Sequence, residues 1–236
     1  MTHAYKTQDE ITPLLLEQIQ KALDFQKAGQ LDQAEKAYKK ALNEYSNVPD
    51  VLHMAGMFYS QIGKRKYALT LFQKVLPYKS DNADLYKNIG IIFYEEERYE
   101  EALEHLRTSV KLNQADPESV RILGYTYHRI KKLDEAAACY KKSLSLQDNL
   151  NIRNKLAEVL LIQQKNDEVK SLLEEKVKSN QGNYDSLILL AYAYGEGFPE
   201  TAEYLINAIL NKPRTPIAKA MFANLCYVTG IPQAIN

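Results

Sequence analysis

The sequence predicts an all-α fold made of stacked helical hairpins, and a repeat of about 34 residues is the first reason. Small residues recur at this interval in two series. The first series contains Ala22, Gly56, Gly90, Gly124, Ala157 and Ala191. The second contains Ala34, Ala68, Ala102, Ala136, Val169 and Ala202. Because both series keep the same interval, we expect one structural unit to repeat along the chain.

Large apolar residues follow the small ones in step, which is the second reason. One series contains Phe25, Tyr59, Phe93, Tyr127, Leu160 and Tyr194, and another contains Tyr38, Phe72, Leu106, Tyr140, Leu173 and Ile206. Third, each unit holds two segments with apolar residues at helical spacing, as in "DVLHMAGMFYSQIG" and "KYALTLFQKVL". We expect the two helices of a unit to cross at the small residues. One hairpin cannot offset an ordering cost of about 1.5 kcal/mol per residue, so neighbouring hairpins must stack.

Prolines mark several predicted helix boundaries. Thr12 and Pro13 predict an N-cap and a first helix from Pro13 to Ala28. Pro117 is expected to open a helix, and Pro77 to shorten or bend the end of another. The predicted divisions are an N-terminal extension at 1–14, six repeats at 15–48, 49–82, 83–116, 117–149, 150–183 and 184–211, and a capping helix or truncated seventh repeat at 212–236.

Composition excludes several classes of protein. The 30 basic and 30 acidic residues cancel, which argues against a general binder of nucleic acid or anionic membranes. The N-terminus is polar rather than an apolar signal segment, and no run of eighteen apolar residues occurs, so we predict a cytoplasmic protein. Cys139 and Cys226 are too few for a disulfide framework or a four-thiolate metal site, and we expect both to be buried.

The acid-rich stretch "FYEEERYEEALEH", residues 93–105, raises the question of a metal or acid/base site. Its Glu100 and Glu101 lie in register with acids that begin other second helices, where negative charge favours the helix dipole. Glu101 and His105 are one helical turn apart, but no second motif accompanies them. Known catalytic and phosphate-binding signatures are also missing from the sequence. We therefore predict no metal, no cofactor and no enzymatic activity in this segment.

The repeats resemble the tetratricopeptide repeat family. The stretches "LHMAGMFYSQIGKRKYALTLFQKVL", "YKNIGIIFYEEERYEEALEHLRTSV" and "VRILGYTYHRIKKLDEAAACYKKSL" carry its pattern of apolar, Leu-Gly, Tyr, Ala and Phe positions, and the resemblance covers about Leu15 to Leu210. It implies a right-handed α-α superhelix whose first helices line the concave side. The sequence departs from the family pattern at Lys21, which occupies a usual Leu position, and in lacking the usual proline that closes each unit.

The same resemblance points to a peptide-binding groove on the first helices. Its candidate residues are His53, Met57, Lys87, Asn88, Ile91, Tyr94, Arg121, Tyr125, His128 and Tyr192. One stripe of this face also includes Ile19, Asn154 and Ile188, in register with His53. An apolar and aromatic stripe with a few cations suits a partner peptide carrying apolar and acidic side chains. The alternative is that these residues only pack against neighbouring first helices. Two specialised family modes, a clamp for a terminal carboxylate and an asparagine ladder, match only at Lys87 and Asn88.

These patterns favour a protein–protein interaction scaffold that binds a peptide segment in its groove and binds neither nucleic acid nor membrane. A second hypothesis is an N-terminal docking arm of a larger enzyme of the sulfotransferase, glycosyltransferase or oxygenase type, with its catalytic part beyond residue 236. It rests on the similarity of "AEKAYKKAL" and the repeats after it to repeat regions that precede such domains. A third is homo-oligomerisation through the apolar C-terminal helix.

Overall fold

The computed structural model describes residues 12–179 and 181–195, together with 200, 201, 204 and 207. Eleven α-helices lie within these residues. They are α1 (Thr12–Lys27), α2 (Leu31–Glu44), α3 (Pro49–Gln61), α4 (Arg65–Val75), α5 (Ala83–Glu95), α6 (Tyr99–Leu112), α7 (Pro117–Arg129), α8 (Leu133–Leu146), α9 (Leu150–Ile162), α10 (Asn166–Lys178) and α11 (Tyr184–Tyr194). The described residues contain no strand. The predicted all-α fold is therefore confirmed.

The chain divides into two compact units, residues 1–114 and 115–236. In the first unit, α1 pairs with α2, α3 with α4, and α5 with α6, and the successive hairpins touch through α2 and α3, α4 and α5, and α3 and α5. In the second unit, α7 pairs with α8 and α9 with α10, while α8 contacts α9, and α11 packs on both α9 and α10. Within each unit the helices are thus stacked as hairpins.

Each tight hairpin turn contains one residue in the left-handed region of backbone space. In the first two hairpins this residue is glycine, Gly29 at φ 71° and Gly63 at φ 79°, which adopts the conformation without steric cost. The turn closes with a backbone hydrogen bond of 2.8 Å from the Lys64 N–H to the Tyr59 carbonyl. The second helix then begins one residue later, so the turn sets the angle at which the two helices meet.

The helices cross where the small residues recur, as predicted. A Cβ built on Gly56 would lie 2.5 Å from Cε1 of Phe72, and one built on Gly124 would lie 2.8 Å from Cε1 of Tyr140. Gly90 meets Leu106 in the same way, at 2.6 Å from its Cγ. The large second-helix series is buried throughout the described residues, at Tyr38, Phe72, Leu106, Tyr140 and Leu173. Small first-helix and large second-helix residues therefore form the centre of each hairpin.

Most predicted boundaries lie close to the observed ones. α1 begins at Thr12 and ends at Lys27, one residue earlier at each end than predicted. Pro117 opens α7, with the Asp116 carboxylate accepting from the backbone N–H groups of the next turn, and α4 ends at Val75, before Pro77. The division into six repeats stays a prediction, and the predicted capping segment at 212–236 lies outside the described residues.

The predicted burial of the cysteines needs a correction. Cys139 is half-buried rather than fully buried, because its place on α8 falls beside the buried stripe and not within it. Partial burial still raises the pKa of the Cys139 thiol to about 11. A thiol with so high a pKa stays protonated and unreactive at neutral pH. Cys226 lies outside the described residues.

Candidate partner-binding surfaces

The ten predicted groove residues lie on first helices of the hairpins, distributed over both units. Six of them define the first-unit surface, with His53 and Met57 on α3 and Lys87, Asn88, Ile91 and Tyr94 on α5. Four define the second-unit surface, with Arg121, Tyr125 and His128 on α7 and Tyr192 on α11.

His53 and Asn88 join the two helices of the first-unit surface. Asn88 Nδ2 lies 3.2 Å from His53 Nε2, within hydrogen-bonding distance. The His53 ring also meets the Phe72 ring edge-on, with centroids 5.7 Å apart. Burial lowers the pKa of His53, and the nearby Lys79 lowers it further. His53 is therefore neutral at pH 7. Its contact with Asn88 holds α3 against α5.

Met57 is the most accessible apolar residue of α3. Its exposed fraction is 41%, whereas the adjacent Phe58 is fully buried. The same alternation occurs on α5, where Ile91 is half-buried and Ile92 is fully buried. Successive helix positions point about 100° apart, so Met57 and Ile91 lie at the edge of the buried face rather than within it. They leave apolar surface accessible to a partner.

Lys87 and Tyr94 are held by neighbours on the same hairpin. Lys87 Nζ lies 2.9 Å from Asp84 Oδ1, and only 15% of the lysine side chain is exposed. The Tyr94 ring lies 5.8 Å from the Tyr99 ring, across the turn between α5 and α6. We expected both residues to face an open groove. Tyr94 is half-buried, and the Lys87 charge is already paired within the helix.

Tyr140, on α8 of the same hairpin, contacts two α7 residues of the second-unit surface. Its ring meets the Tyr125 ring edge-on at 5.8 Å, and its hydroxyl lies 3.4 Å from His128 Nδ1. Burial lowers the pKa of His128, although the Glu158 carboxylate on α9 acts in the opposite direction. Arg121 Nη2 lies 3.2 Å from Glu118 Oε1, one turn away. Tyr125, His128 and Arg121 are all half-buried.

Sequence reasoning missed this supporting role of the second-helix tyrosines. Tyr38 behaves similarly in the first unit, where its hydroxyl donates to Gln26 Oε1 at 2.9 Å. A signal was available, because Tyr38 and Tyr140 are the tyrosines in a series otherwise filled by Phe, Leu and Ile. A buried tyrosine hydroxyl needs a polar partner, and the register places one on the first helix of the same hairpin.

Tyr192 is the most exposed member of the second-unit surface, at 47%. It lies on α11, which packs on α9 and α10. The prediction that the stripe in register with His53 faces the groove is wrong at three places, since Ile19, Asn154 and Ile188 are buried. Their side chains fill the space between neighbouring helices, so packing rather than partner binding explains these three residues.

Metal binding and membrane insertion are the remaining alternatives for the described residues. In that part of the chain no three His, Cys, Asp or Glu side chains are grouped so that they could hold a metal ion. The Glu101 carboxylate is paired with Arg98, and the His105 ring is stacked near Tyr86 and Phe93. None of the helices there is long and apolar enough to cross a membrane. The cytoplasmic location stays a prediction.

Consecutive hairpins that cross at small residues and stack through their neighbours define a helical-repeat protein. The sequence profile of the tetratricopeptide repeat matches residues 53–120 and 87–151. Residues 53–151 thus carry tetratricopeptide repeats, which confirms the resemblance seen in the sequence.

Known proteins share both sequence and fold with this chain. A tetratricopeptide repeat-containing protein, trd-1 of Caenorhabditis elegans, is 24% identical over 73% of this chain and 22% of its own length. The type IV pilus assembly protein PilF of Pseudomonas aeruginosa is 30% identical over 56% of this chain and 53% of its own length. The chain therefore spans about half or less of these curated relatives.

Solved structures extend the similarity of fold. The PilF structure matches with a TM-score of 0.74 and 23% identity, covering 93% of this chain and 100% of the chain in that structure. YrrB, a tetratricopeptide repeat protein, matches with a TM-score of 0.69 and 20% identity over 79% of this chain and 98% of YrrB. At these identities the structures show a shared fold alone, a tetratricopeptide scaffold of the kind typical of protein–protein interaction.

Proposed function

We propose that this protein is an interaction scaffold whose first-unit surface binds a peptide segment of a partner protein. The accessibility of Met57, 41% exposed on a helix whose other large apolar residues are mostly buried, is the observation that carries this proposal. Ile91 extends the apolar surface onto α5, and Tyr94 flanks it with an aromatic ring. A peptide lying across α3 and α5 would cover these side chains with its own apolar residues.

The polar residues of this surface would orient the peptide. The Lys87 ammonium lies 2.9 Å from Asp84 Oδ1, on the same helix as Ile91. A carboxylate on the peptide would share this cation, which favours partners with acidic residues next to apolar ones. Asn88 is already bonded to His53, so its amide fixes the wall of the surface. We propose that these polar contacts affect specificity and association rate more than affinity.

Apolar burial would provide most of the affinity. Removing apolar surface from water stabilises a complex by about 25 cal/mol per Å². Association costs at least about 4 kcal/mol in lost translational and rotational freedom, so a small contact binds weakly unless its central residues are well packed. We therefore expect a few residues, with Met57 and Tyr94 among them, to dominate binding.

The second-unit surface is proposed as a separate contact of the same kind. Tyr125 and His128 rest on Tyr140, so their rings are held in place before a partner arrives. Rings that are already ordered lose little conformational entropy on binding. The exposed Tyr192 adds an aromatic contact on α11. Among structural neighbours, YrrB is described as having an unusual peptide-binding site, which supports peptide binding as one use of this fold.

Selection from a random displayed-peptide library, followed by calorimetry, tests the proposal. We expect selected peptides to bind the double variant Met57→Ala/Tyr94→Ala at least about ten-fold more weakly than the parent, a loss of about 1.4 kcal/mol. Circular dichroism should show unchanged helicity.

A matched control separates the surface from general apolar exposure. Leu112 and Tyr78 have exposed fractions of 42% and 64% and do not belong to the first-unit surface, so Leu112→Ala/Tyr78→Ala removes similar side chains elsewhere. The control should retain parental affinity. Equal affinities for the parent and the Met57→Ala/Tyr94→Ala variant would refute the proposed surface.

A further inference from the structure

A second kind of site lies in the first unit, at the turn between α3 and α4. An open cavity of about 610 Å³ occupies this place. Four cationic and two anionic side chains line it, at Lys39, Lys64, Arg65, Lys66, Glu35 and Glu96. The lining therefore carries a net charge of +2, although the whole chain carries none. None of these residues belongs to the first-unit surface.

Lys66 breaks the charge pattern of the repeats. The corresponding positions in the first turns of the other second helices are acidic, at Asp32, Glu100, Asp134 and Asp167. An acidic side chain is favoured there because the N-terminus of a helix is electropositive, and a cation is disfavoured for the same reason. The first turn of α4 has no acidic residue. Helix stability alone therefore does not explain a lysine at position 66.

The charges around Lys66 leave a surplus in the cavity. Glu35 Oε1 accepts from both Lys39 Nζ and Lys64 Nζ, at 2.9 and 2.7 Å. One carboxylate thus faces two ammonium groups, which lowers the pKa of Glu35 through these hydrogen bonds. Arg65 pairs with Glu95 at 2.8 Å. The exposed Lys66 ammonium forms no ion pair within the part of the chain that the structure describes.

Tyr59 supplies an unused hydrogen-bond donor in the wall of the same cavity. The residue is almost fully buried, and its hydroxyl has no hydrogen-bond partner among the described residues. Buried polar groups nearly always have a partner, so an unpartnered one needs an explanation. Burial raises the pKa of Tyr59 to about 12, with a contribution from Glu35 and Tyr67, so the phenol keeps its proton at neutral pH. It can donate a hydrogen bond but carries no charge.

We propose that this cavity binds acidic side chains of a partner protein. One oxygen of a partner carboxylate would pair with the Lys66 ammonium, and a second carboxylate oxygen would accept a hydrogen bond from the Tyr59 hydroxyl. The flexible Lys64 side chain lies over the Tyr59 ring, with its Nζ 5.8 Å from the ring centroid. It would turn towards the incoming anion and so make the Tyr59 hydroxyl accessible. Tyr67, 44% exposed and packed edge-on against Tyr59 at 4.6 Å, forms an aromatic wall for the peptide backbone.

The modest local charge favours a short acidic peptide over a nucleic acid. Binding to a nucleic acid depends on neutralising many phosphates with an extended basic surface. Here the surplus is confined to one cavity, which matches one or two carboxylates. The site is independent of the proposed peptide-binding surface around Met57, and either could exist without the other.

Fluorescence anisotropy with a labelled oligoglutamate peptide tests the inference. We expect saturable binding to the parent, a loss of at least about ten-fold for Lys66→Glu and about three-fold or more for Tyr59→Phe. Lys74→Glu is the matched control, because it makes the same charge change on the same helix outside the cavity. It should reduce affinity by less than about two-fold, the effect of net charge alone. Thermal midpoints should be retained, since Lys66→Glu restores the favoured charge at a helix N-terminus.

Several outcomes would contradict the inference, and competing ligands and a variant of the first-unit surface would reveal them. Equal affinity of the parent and Lys66→Glu, or no saturable binding of oligoglutamate, would overturn the inference. So would tighter binding of a single-stranded oligonucleotide, or binding of inorganic phosphate without binding of the peptide. The Met57→Ala/Tyr94→Ala variant should bind oligoglutamate like the parent. A loss there would place the acidic peptide on the first-unit surface and remove the case for the cavity.

Discussion

Gly56 lies so close to Phe72 that a Cβ atom on the glycine would stand 2.5 Å from the ring carbon Cε1. We predict that Gly56→Ala destabilises the protein. Alanine in a helix interior gains about 0.5–1 kcal/mol over glycine, but forcing an extra methyl into a packed core costs about 1–3 kcal/mol. The clash should exceed the gain, so the free energy of unfolding should fall by about 1–2 kcal/mol in urea titrations.

The repeat provides a control for this prediction. Ala157 holds the same register position in another hairpin and is fully buried. Ala157→Gly should also destabilise, by about 0.5–1 kcal/mol or more, because that hairpin accommodates the methyl group. A stabilised Gly56→Ala variant would show that the Phe72 ring moves away at little cost.

The hairpins could be predicted from sequence because their contacts are set by spacing. The crossing of Gly124 with Tyr140 depends on two positions at a fixed distance within one unit, and the register shows both. The pairing of Lys87 with Asp84 is equally local, three residues apart on one helix, whereas the groove prediction treats Lys87 as a cation that faces a partner. This ion pair limits how strongly the Lys87 ammonium could bind a partner.

The exposure of individual groove residues could not be predicted in the same way. Asn154 and His53 occupy the same register, but Asn154 is 4% exposed and His53 is half-buried. The difference comes from α11, whose Ser186 and preceding Asn183 provide hydrogen-bond partners for Asn154. Such partners lie about 30 residues away and depend on how one hairpin packs on the next. A repeat pattern gives the position of a residue but not its neighbour on the adjacent hairpin.

We predict that Asn154→Leu destabilises the second unit. The Asn154 amide donates to Asn183 Oδ1 at 2.9 Å, and its oxygen accepts from Ser186 Oγ at 2.8 Å. Leucine makes neither bond, and losing buried partners costs about 1–3 kcal/mol. Asn151→Leu makes the same chemical change at an exposed position of α9 and should alter stability by less than about 0.5 kcal/mol. Indistinguishable thermal midpoints for the two variants would contradict the role given to this network.

Stability should decrease as the pH falls below about 6.5, because burial lowers the pKa of His53, His105 and His128 in the folded state. The unfolded chain then binds more protons than the folded one. This contribution to stability is complete above the ordinary histidine pKa of 6.5 and is lost as the pH falls towards the lower folded-state pKa values. Urea titrations between about pH 7 and pH 5 would measure the effect, since carboxylates titrate mainly at lower pH.

We predict that His105→Phe reduces this pH dependence. The His105 ring is stacked 5.4 Å from Phe93 and 6.0 Å from Tyr86, and its Nδ1 atom is buried without a hydrogen-bond partner among the described residues. Phenylalanine keeps an aromatic ring there but cannot take up a proton. The free energy of unfolding of the variant should change less with pH than that of the parent. An identical slope in both proteins would mean that His105 does not contribute.

Tyr192 and Tyr140 should differ in how much they contribute to the stability of the second unit. Tyr192 is 47% exposed, whereas Tyr140 is fully buried beneath Tyr125 and His128. Tyr192→Ala should therefore change the free energy of unfolding by less than about 0.5 kcal/mol, while Tyr140→Ala should reduce it by about 3–5 kcal/mol. Thermal and urea unfolding of both variants would measure the contrast. If Tyr192→Ala were as destabilising as Tyr140→Ala, the exposed ring would have a structural role, and the second-unit surface would lose its main partner-facing residue.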